Sequence, residues 1–280
     1  MEYKELAKGV KIPVLGLGTW GIGGWETPDP SGDDENIASL RAGIELGMTH
    51  IDTAEMYGGG HCEEVVGEAI KPYDRDELFI TTKVWRTHLG YDDVISAIKG
   101  SLRRLGLDYV DLYLVHWPNP KVPLKETMRA MELCAEEGYT RFIGVSNFGR
   151  PLLEEAQSYL KEHRLVADQV EYNLLEQGPR ENLLPYCQRE GIMLIAYTPL
   201  AKGRLAMPGS PMLDEMAEKY GKTPGQIALN WLIFQDWIVA IPKASKIEHL
   251  KENLGAVGWR LSPEDWRKLG EAYRRIGPVY

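Results

Sequence analysis

LFITTKVWRTHLGYDDVISAIKGSLRRLGLDYVDLYLVHW (78–117) contains the pattern that decides the fold of this protein. It opens with LFITTKV (78–84) and closes with YVDLYLVHW (109–117), two short apolar runs rich in β-branched and aromatic residues. Between them, DDVISAIKGSLRRLG (92–106) carries apolar residues at helical spacing and ends at a glycine. Continuous apolar runs are typical of strands buried on both faces, and the middle segment is typical of an amphipathic helix. The stretch therefore predicts two parallel strands joined by a helix.

The same alternation extends in both directions along the chain of 280 residues. Further strands are predicted at 14–20, 48–54, 141–148, 166–173, 192–200 and 237–242. Further helices are predicted at 61–70, 124–138, 151–163, 180–191, 223–235 and 247–257. Together these segments make about eight βα units, the number that closes a (β/α)8 TIM barrel. A doubly wound open sheet is the alternative, and the number of strands favours the barrel.

Two segments lie outside this alternation. KELAKGVKIPVL (4–15) predicts a short N-terminal β-hairpin. LSPEDWRKLGEAYRR (261–275) predicts an extra C-terminal helix that begins at a Ser-Pro-Glu capping signal. Because we find no linker, repeat or low-complexity tract, we expect one barrel domain over residues 1–280.

The composition limits the classes of partner. A formal net charge of −9 disfavours nucleic acid and anionic membrane surfaces, which attract basic proteins. Cys62, Cys134 and Cys187 lack the paired spacing of a disulfide framework or a thiolate metal site. The N-terminal segment is charged throughout, and no apolar run approaches the roughly 18 residues of a spanning helix. We therefore expect a cytoplasmic protein with no metal. We also expect a monomer that acts on a small-molecule substrate, which the composition does not itself decide.

One motif invites a different interpretation. Gly16, Gly18 and Gly21 match the GxGxxG pattern of a dinucleotide-binding fold. That fingerprint requires a helix that opens at the third glycine, because its N-terminus receives the pyrophosphate. Here IGGWETPDPSGDD follows, which is not a helical sequence. A glycine-rich strand end followed by a loop is the better interpretation.

Four polar residues stand at or just beyond predicted strand ends. Asp52 ends HID, Tyr57 follows in a glycine-rich loop, Lys83 ends ITTK and His116 ends LYLVH. In a barrel, such side chains point into the mouth where active sites lie. Each alone has an ordinary structural explanation, such as a lysine that reaches solvent or a histidine that packs in the core. Four unpartnered polar groups at buried positions would be costly, so we expect a mutually hydrogen-bonded set.

These residue types suit proton transfer to a carbonyl oxygen. A tyrosine with an ordinary pKa of about 10 is a proton donor near neutral pH. A neighbouring ammonium is expected to lower that pKa and to stabilise the phenolate, while a carboxylate keeps the lysine charged. A histidine can orient the carbonyl oxygen. Such a device protonates a developing alkoxide, so a hydride donor has to supply the other half of the reaction.

The sequence resembles the aldo-keto reductase family over essentially its whole length. The matching stretches are GLGTW (16–20), HIDTAEMYGGGHCEEVVGEAI (50–70), LFITTKVW (78–85), VDLYLVHWP (110–118), IGVSNF (143–148), QVEYN (169–173), AYTPL (196–200) and IPKAS (241–245). The resemblance implies that Asp52, Tyr57, Lys83 and His116 are the catalytic tetrad, with Tyr57 as proton donor. It also implies NAD(P)H-dependent reduction of aldehydes and ketones, including small carbonyls, dicarbonyls or sugars, to alcohols.

The resemblance further implies where the coenzyme binds. Ser146, Asn147 and Gln169 hold the nicotinamide carboxamide, and Tyr197 stacks on the ring, which leaves one face for hydride delivery. The backbone of Gly18, Thr19 and Trp20 approaches the coenzyme, and Thr198, Pro199 and Leu200 lie along the pyrophosphate. In and after the last strand, the implied contacts are Ile241, Pro242, Lys243, Ser245 and His249, with Lys243 at the 2′-phosphate. Glu252 and Asn253 lie near the adenine.

The chain departs from the family pattern at several of these positions. Gly21 stands where a lysine can occur, Ala244 where serine is frequent, and His249 where an arginine is expected. Loss of the guanidinium weakens the grip on a 2′-phosphate. We therefore expect NADPH to be preferred by a modest margin and NADH to be accepted. Only IGPVY (276–280) follows the last predicted helix, so we expect an open substrate pocket.

Aromatic residues near the predicted strand ends suggest an apolar substrate pocket. They are Trp20, Trp85, Trp117 and Phe148, and Trp25 is a further candidate in the loop 21–33.

Cys62 is interpreted as a packing residue. His61, Glu63 and Glu64 diverge around a helix, so they are interpreted as a solvated face and not as metal ligands.

Two other functions compete with carbonyl reduction. A non-enzymatic nucleotide-binding sensor or regulatory subunit would use the same fold, since fold does not fix function. An aldolase would form a Schiff base on Lys83. The intact tetrad argues against the sensor. Pairing with Asp52 argues against the aldolase, because a charged amine is not a nucleophile.

Overall fold

Eight parallel strands form the central sheet, and a hairpin precedes them. The computed structural model describes residues 1–274. The hairpin is β1 (Tyr3–Ala7) and β2 (Val10–Pro13), and the barrel strands are β3 (Leu17–Gly18), β4 (His50–Asp52), β5 (Phe79–Val84), β6 (Val110–Val115), β7 (Thr140–Ser146), β8 (Leu165–Glu171), β9 (Met193–Tyr197) and β10 (Ile238–Ala240). Each barrel strand pairs with the next one along the chain, and a parallel bridge between Leu15 and Ala240 closes the ring. The predicted (β/α)8 TIM barrel is confirmed.

Helices surround the ring. They are α1 (Asp33–Glu45), α2 (His61–Ile70), α3 (Tyr91–Leu105), α4 (Leu124–Glu136), α5 (Arg150–Ser158), α6 (Leu183–Glu190), α7 (Pro211–Tyr220), α8 (Pro224–Ile233), α9 (Ile247–Leu254) and α10 (Pro263–Tyr273). The sequence pattern predicts neither α1 nor α7. Helix α1 buries only Ser39, Leu40, Gly43 and Ile44, so it has a narrow apolar stripe that is easily overlooked. The predicted tail 276–280 lies outside the described residues.

The glycines of the GxGxxG match belong to the barrel seam. A Cβ atom at Gly16 would lie 2.7 Å from Nδ1 of His50, and one at Gly18 would lie 2.7 Å from the carbonyl oxygen of Ile241. Both contacts are shorter than real Cβ atoms tolerate, so the closing strands require glycine here. Helix α1 begins only at Asp33, after an irregular loop. The sequence interpretation of a strand end followed by a loop is therefore confirmed.

The hairpin closes the N-terminal end of the barrel. Leu6 and Ile12 pack with the inward-facing residues of the strands. The ammonium of Lys4 donates hydrogen bonds to the carbonyl oxygens of Ile233 (2.9 Å), Ile238 (2.7 Å) and Gln235. A separate, larger apolar layer lies between the strands and the helices. Because the floor is filled in this way, the carboxyl ends of the strands form the accessible end of the barrel.

Cys62, Cys134 and Cys187 are buried free thiols. Burial raises the pKa of Cys62 to about 11, so it is an unreactive packing residue, as its sequence context indicates. Within residues 1–274, no helix is both long and apolar enough to cross a membrane. Over the same residues, no group of three or more histidine, cysteine or acidic side chains is arranged to hold a metal ion.

Candidate active site

Three of the predicted catalytic residues meet at the carboxyl ends of β4 and β5. The Nζ of Lys83, which is fully buried, donates to Oδ1 of Asp52 at 2.7 Å and to the phenol oxygen of Tyr57 at 3.2 Å. Its third hydrogen bond goes to the carbonyl oxygen of Thr53 at 2.8 Å. All three protons of the ammonium therefore have acceptors. The lysine is held at one point, with the phenol as its outermost partner.

Tyr57 begins a short turn whose glycines bring two loops together. Gly58 and Gly59 adopt left-handed backbone angles, with φ of 55° and 61°. A Cβ atom at Gly58 would lie 2.4 Å from the carbonyl oxygen of Gly23. Only glycine allows that approach without strain. The loop after β3 thus rests directly on the turn that carries Tyr57.

The charges of this cluster favour a neutral phenol beside an ammonium. Burial lowers the pKa of Lys83, but the charges of Asp52 and Tyr57 and their hydrogen bonds outweigh it and raise the pKa above its usual value. Burial raises the pKa of Tyr57, and the Lys83 ammonium opposes that rise only in part. The expectation of a lowered tyrosine pKa is therefore wrong, because desolvation of the phenolate exceeds the attraction of the lysine. Tyr57 is in its proton-donating form at neutral pH.

His116 completes the group through ring contacts. Its ring centre lies 5.6 Å from that of Tyr57 and 5.1 Å from that of Trp85, edge to face in both cases. Its buried Nδ1 has no hydrogen-bond partner among residues 1–274. Burial, assisted by the Lys83 charge, holds the pKa of His116 well below its usual value, so the imidazole is neutral. The expected four-membered hydrogen-bonded set is corrected to three members and an adjacent aromatic contact.

A second polar cluster lies beside the first. The amide nitrogen of Gln169 donates to Oδ2 of Asp52 at 2.7 Å, so Asp52 joins the two clusters. The Ser146 hydroxyl donates to the carbonyl oxygen of Gln169 at 2.7 Å. Tyr197 donates its phenol proton to Oδ1 of Asn147 at 2.8 Å. Four side chains that were predicted to surround one ligand are thus brought together by β7, β8 and β9.

Asn147 is held in an uncommon backbone conformation. Its φ is 64°, in the left-handed region that asparagine tolerates better than most residues. Its Nδ2 donates to the carbonyl oxygen of His116 at 3.0 Å and to the Ser146 hydroxyl at 3.0 Å. These bonds stabilise the turn, and they fix the direction of the amide above the strand end.

The other predicted coenzyme residues lie along the ends of β3, β9 and β10. The buried Thr19 hydroxyl donates to the carbonyl oxygen of Asp52 at 2.8 Å. Thr198 has a φ of 51°, and its carbonyl oxygen accepts from Asn173 at 3.1 Å. Pro199 is buried and Leu200 is half-buried. These residues lie along the strand ends next to the polar clusters, and the surface that they share with the residues after β10 is called the groove below.

The groove continues past the end of β10. Three of the predicted residues here are buried: Ile241, Pro242 and Asn253. Three are exposed, namely Lys243, Ser245 and His249, and Glu252 is half-buried. Glu252 accepts a hydrogen bond from the Thr223 hydroxyl at 3.0 Å, which fixes one of its oxygens. Lys243 and His249 are therefore free to meet a ligand from solvent, whereas Glu252 is already oriented.

The predicted substrate-pocket aromatics divide into two groups. Trp20 and Trp117 are exposed and Trp85 is half-buried, so each presents surface at the mouth. Phe148 is only 1% exposed and packs in the apolar layer. Its prediction as a pocket residue is corrected, because a side chain inside the core has no surface to offer a substrate.

Glu55 has a positioning role that the sequence patterns did not indicate. Its Oε1 accepts from the backbone N–H of Trp85 at 2.6 Å and lies 3.0 Å from Nδ1 of His88. It therefore anchors the chain that follows β5. The sequence does show an acid between Asp52 and Tyr57. That position alone does not tell whether the acid anchors the backbone or takes part in the reaction.

The prediction that the residues at the start of α2 form a solvated face is wrong for Glu63. That carboxylate is fully buried and accepts from the Thr82 hydroxyl at 2.5 Å and from Nε of Arg104 at 2.7 Å. His61 instead lies between Asp33 and Glu64, with contacts of 2.8 and 2.7 Å. The neighbouring helix supplies partners that helical spacing alone does not reveal.

Comparison with known proteins agrees with this geometry. A family model described as the Aldo/keto reductase family matches residues 14–274. The chain is similar to the methylglyoxal reductase YeaE of Escherichia coli, with 38% identity over 267 residues, which cover 94% of this chain and 92% of that one. It is also 38% identical to the glyoxal reductase of Bacillus subtilis over 280 residues, which cover 98% and 94% of the two chains.

Solved structures give the same result. A thermostable aldo-keto reductase crystallised with the inhibitor epalrestat has a TM-score of 0.93 and 51% identity, with 97% of this chain and 99% of that chain covered. An aldo/keto reductase from Klebsiella pneumoniae in complex with NADP and acetate has a TM-score of 0.84 and 39% identity, with 95% and 93% covered. The match over nearly the whole chain, together with the polar clusters at the barrel mouth, shows that this protein belongs to the aldo/keto reductase family.

Proposed function

We propose that this protein reduces small aldehydes and ketones to alcohols with NADPH as the hydride donor. The observation that carries the proposal is the contact between Lys83 and Tyr57 at 3.2 Å, with Asp52 behind the lysine. A neutral phenol held against an ammonium is a proton donor whose conjugate base is stabilised in place. Small carbonyls are also the substrates named for the two bacterial relatives, methylglyoxal and glyoxal.

The residues at the mouth fit a nicotinamide coenzyme. A primary carboxamide has one acceptor oxygen and two N–H donors. The Ser146 hydroxyl and the amides of Asn147 and Gln169 bring donor and acceptor atoms of this kind into one cluster, and a bound carboxamide would replace some of their present contacts with one another. The ring of Tyr197 stands beside them, half-buried at the end of β9, and gives a flat surface for stacking. When bound there, the dihydronicotinamide supplies the hydride.

The protein's own residues supply the proton and the orientation. Tyr57 donates its phenol proton to the substrate oxygen, and the ammonium of Lys83 stabilises the phenolate that remains. Asp52 keeps Lys83 charged and in position. The neutral imidazole of His116 lies edge-on to Tyr57 and donates a hydrogen bond that orients the carbonyl oxygen. Trp20, Trp85 and Trp117 supply the apolar surface that surrounds the rest of the substrate.

The groove after β10 is the proposed site of the adenosine half. Lys243 is exposed there and carries the positive charge that a 2′-phosphate requires. His249 is also exposed but does not offer the paired, permanently charged donors of an arginine. We therefore infer that NADPH is preferred by a modest margin and that NADH is accepted.

The structure gives specific reasons to set aside the two competing functions. For the Schiff-base aldolase, all three donors of Lys83 are engaged and its pKa is raised, so the free amine that must attack a carbonyl is scarce. For the nucleotide sensor, no chemistry is required, yet the three-membered cluster is complete. A buried ion pair of this kind is a costly arrangement to retain without a catalytic use.

The test measures the oxidation of NADPH, monitored by its absorbance, with each of four substrates in turn. They are methylglyoxal, glyoxal, a simple aldehyde and an aldose. We expect turnover with at least one 2-oxoaldehyde and a lower kcat/KM with NADH than with NADPH. If NADP+ binds tightly but no carbonyl is reduced, the sensor function is favoured instead. Borohydride trapping of a substrate on Lys83 would favour the aldolase.

A further inference from the structure

Glu55 connects the turn that carries Tyr57 with the chain that follows β5. Its backbone N–H donates to the carbonyl oxygen of Lys83 at 3.3 Å, and its Oε1 accepts from the backbone N–H of Trp85 at 2.6 Å. The side chain is only 9% exposed, so water competes little for this oxygen. A carboxylate that accepts a backbone N–H forms a charge-assisted bond, which is stronger than a neutral one. Of the two bonds, only the one to Trp85 depends on the carboxylate.

The segment 85–88, which the carboxylate holds, is a turn on the protein surface. The backbone N–H of His88 donates to the carbonyl oxygen of Trp85 at 2.9 Å and closes the turn. The three residues after Trp85 are exposed, so burial in the core contributes little to their position. From the loop after β6, Nδ2 of Asn119 donates to the carbonyl oxygen of Arg86 at 2.8 Å. Hydrogen bonds from the two neighbouring loops therefore fix where the turn lies.

The indole of Trp85 lies next to the reacting groups. Its ring centre is 5.1 Å from that of His116, which in turn is 5.6 Å from that of Tyr57. Trp85 is half-buried, so part of its surface faces the mouth of the barrel. A substrate whose carbonyl oxygen lies at the phenol of Tyr57 therefore places its substituent close to this indole. A shift of the turn would change the space that is open to that substituent.

The charge of Glu55 does not act on the proton donor directly. Burial shifts the pKa of Tyr57 most, followed by the charges of Lys83 and Asp52. Burial and the charge of Lys83 shift the pKa of His116. Among the described residues, Glu55 is in neither set. Replacement of its carboxylate should therefore move backbone and leave the titration of the proton donor as it is.

We propose that Glu55 is a positioning residue that sets the selectivity of the pocket for substrate size, because it holds the indole of Trp85 against His116. The inference rests on the proposed function, which places the substrate carbonyl at Tyr57. With the anchor intact, the indole fills the space beside the reacting carbon, and a small substituent fits better than a large one. Without the anchor, the exposed turn shifts and a large substituent displaces the indole at lower cost. The favoured substrates are therefore 2-oxoaldehydes with a small substituent.

Methylglyoxal and phenylglyoxal test the proposal, because they share the reacting group and differ only in a methyl or phenyl substituent. Both kcat and KM are measured with NADPH for wild type, Glu55→Met, Glu55→Asp, Glu55→Gln, Trp85→Ala and the double variant of Glu55→Met with Trp85→Ala. Glu132→Met is the matched control. The Glu132 side chain is 8% exposed and accepts three backbone N–H bonds from residues 161–163, at 2.7, 2.9 and 3.3 Å. These residues precede β8, so this carboxylate anchors backbone at the floor.

We expect Glu55→Met to lower the ratio of kcat/KM for methylglyoxal to that for phenylglyoxal by about tenfold, the lower end of what an apolar pocket discriminates. Most of the change should be a higher KM for methylglyoxal, with an unchanged pH–rate profile. Glu55→Asp keeps the charge but is one carbon too short, so it should lose part of the selectivity. Glu55→Gln keeps an acceptor oxygen and most of the selectivity. Glu132→Met should lower the Tm and leave the ratio unchanged. The double variant should be no less selective than Trp85→Ala alone.

The remaining outcomes separate failure of this inference from failure of the proposed function. If Glu55→Met lowers the Tm but keeps the wild-type ratio, Glu55 is an anchor like Glu132 and the inference is wrong. Losses of selectivity that multiply in the double variant would show that Glu55 does not act through Trp85. If Glu55→Met does not fold, a Glu55→Asp protein with the wild-type ratio overturns the inference in the same way. If wild type reduces neither substrate, the proposed function itself is wrong.

Discussion

Lys4 and Lys83 occupy opposite ends of the barrel, and each donates three hydrogen bonds. All acceptors of Lys4 are backbone carbonyls at the floor. Those of Lys83 at the mouth are a carbonyl, a carboxylate and a phenol. Burial lowers the pKa of Lys4 to about 8, whereas Asp52 and Tyr57 overcome burial and raise that of Lys83. The three hydrogen bonds of Lys4 thus connect backbone segments at the floor. The same number at the mouth places the ammonium of Lys83 between two ionisable side chains, Asp52 and Tyr57.

The largest effect at the mouth is expected from Tyr57→Phe. The variant keeps the ring and its contact with His116 but removes the phenol that we propose as the proton donor. We expect kcat/KM for a 2-oxoaldehyde to fall by about 10²–10⁴-fold, the usual contribution of general acid catalysis. The affinity for NADP+ should change little, because the proposed coenzyme contacts are made by other residues. Reduction at a near wild-type rate would show that another group donates the proton.

Lys83→Met should have the next largest effect on catalysis. It removes the cation that we propose stabilises the Tyr57 phenolate, and it leaves Asp52 with Gln169 as a partner. Since hydronium from solvent becomes a more competent proton source in acid, the loss of kcat/KM should be smaller at low pH than near neutrality. The pH–rate profile from pH 5 to 9 measures this. A profile parallel to that of wild type would assign Lys83 a structural role like that of Lys4.

Lys4→Met should affect stability and leave catalysis unchanged. Three buried carbonyl oxygens lose their donor, and a lost partner of this kind costs about 1–3 kcal/mol. The folded-state pKa of Lys4 is about 8, below its value of about 10.4 in an unfolded chain. The unfolded state then binds more protons between these values, so this lysine's contribution to stability increases as pH rises through that window. Urea unfolding of both proteins at pH 7 and 10 should show a larger difference at pH 10.

A second measurement on wild type and Lys4→Met is specific activity, at a temperature where both proteins are folded. A Lys4→Met protein with wild-type kcat/KM supports the division between floor and mouth. A loss of kcat comparable to that of Lys83→Met would mean that the two ends of the barrel are coupled.

The smallest effect is expected from His249→Arg. An arginine can bind a 2′-phosphate through two parallel hydrogen bonds, which an imidazole cannot. The ratio of kcat/KM with NADPH to that with NADH should rise by up to about tenfold, since the site is exposed and screened. An unchanged ratio would show that residue 249 points away from the ribose. Lys246→Arg is the control, because Lys246 is exposed on the same segment and already carries a charge.

The sequence predicted the barrel because a strand buried on both faces leaves a continuous apolar run. It predicted Asp52 and Lys83 for the same reason, since a charge at the end of such a run has to find a partner. Helix α1 was not predicted, because few of its side chains face the core and its pattern is weak. Periodicity along the chain reports what an element buries, and α1 buries little.

The errors concern properties that depend on neighbours from distant parts of the chain. Phe148 follows a strand, as pocket residues do, yet the apolar layer covers its ring. Glu63 lies on a helix that is polar at its start, but Thr82 and Arg104 enclose it. The pKa of Tyr57 depends on how completely the phenol is buried. The sequence predicted the neighbouring lysine but did not indicate the extent of that burial.

The central claim is that the lysine at the mouth acts on a titrating partner and the lysine at the floor does not. The direct measurement is a ¹³C NMR titration of the Tyr57 phenol carbon in wild type, Lys4→Met and Lys83→Met, with the signal assigned from Tyr57→Phe. We predict a neutral phenol at pH 8 in all three proteins. We also predict the same high titration midpoint in wild type and Lys4→Met, and a still higher midpoint in Lys83→Met. A phenolate in wild type at pH 8, or an equal shift in both lysine variants, would contradict the claim.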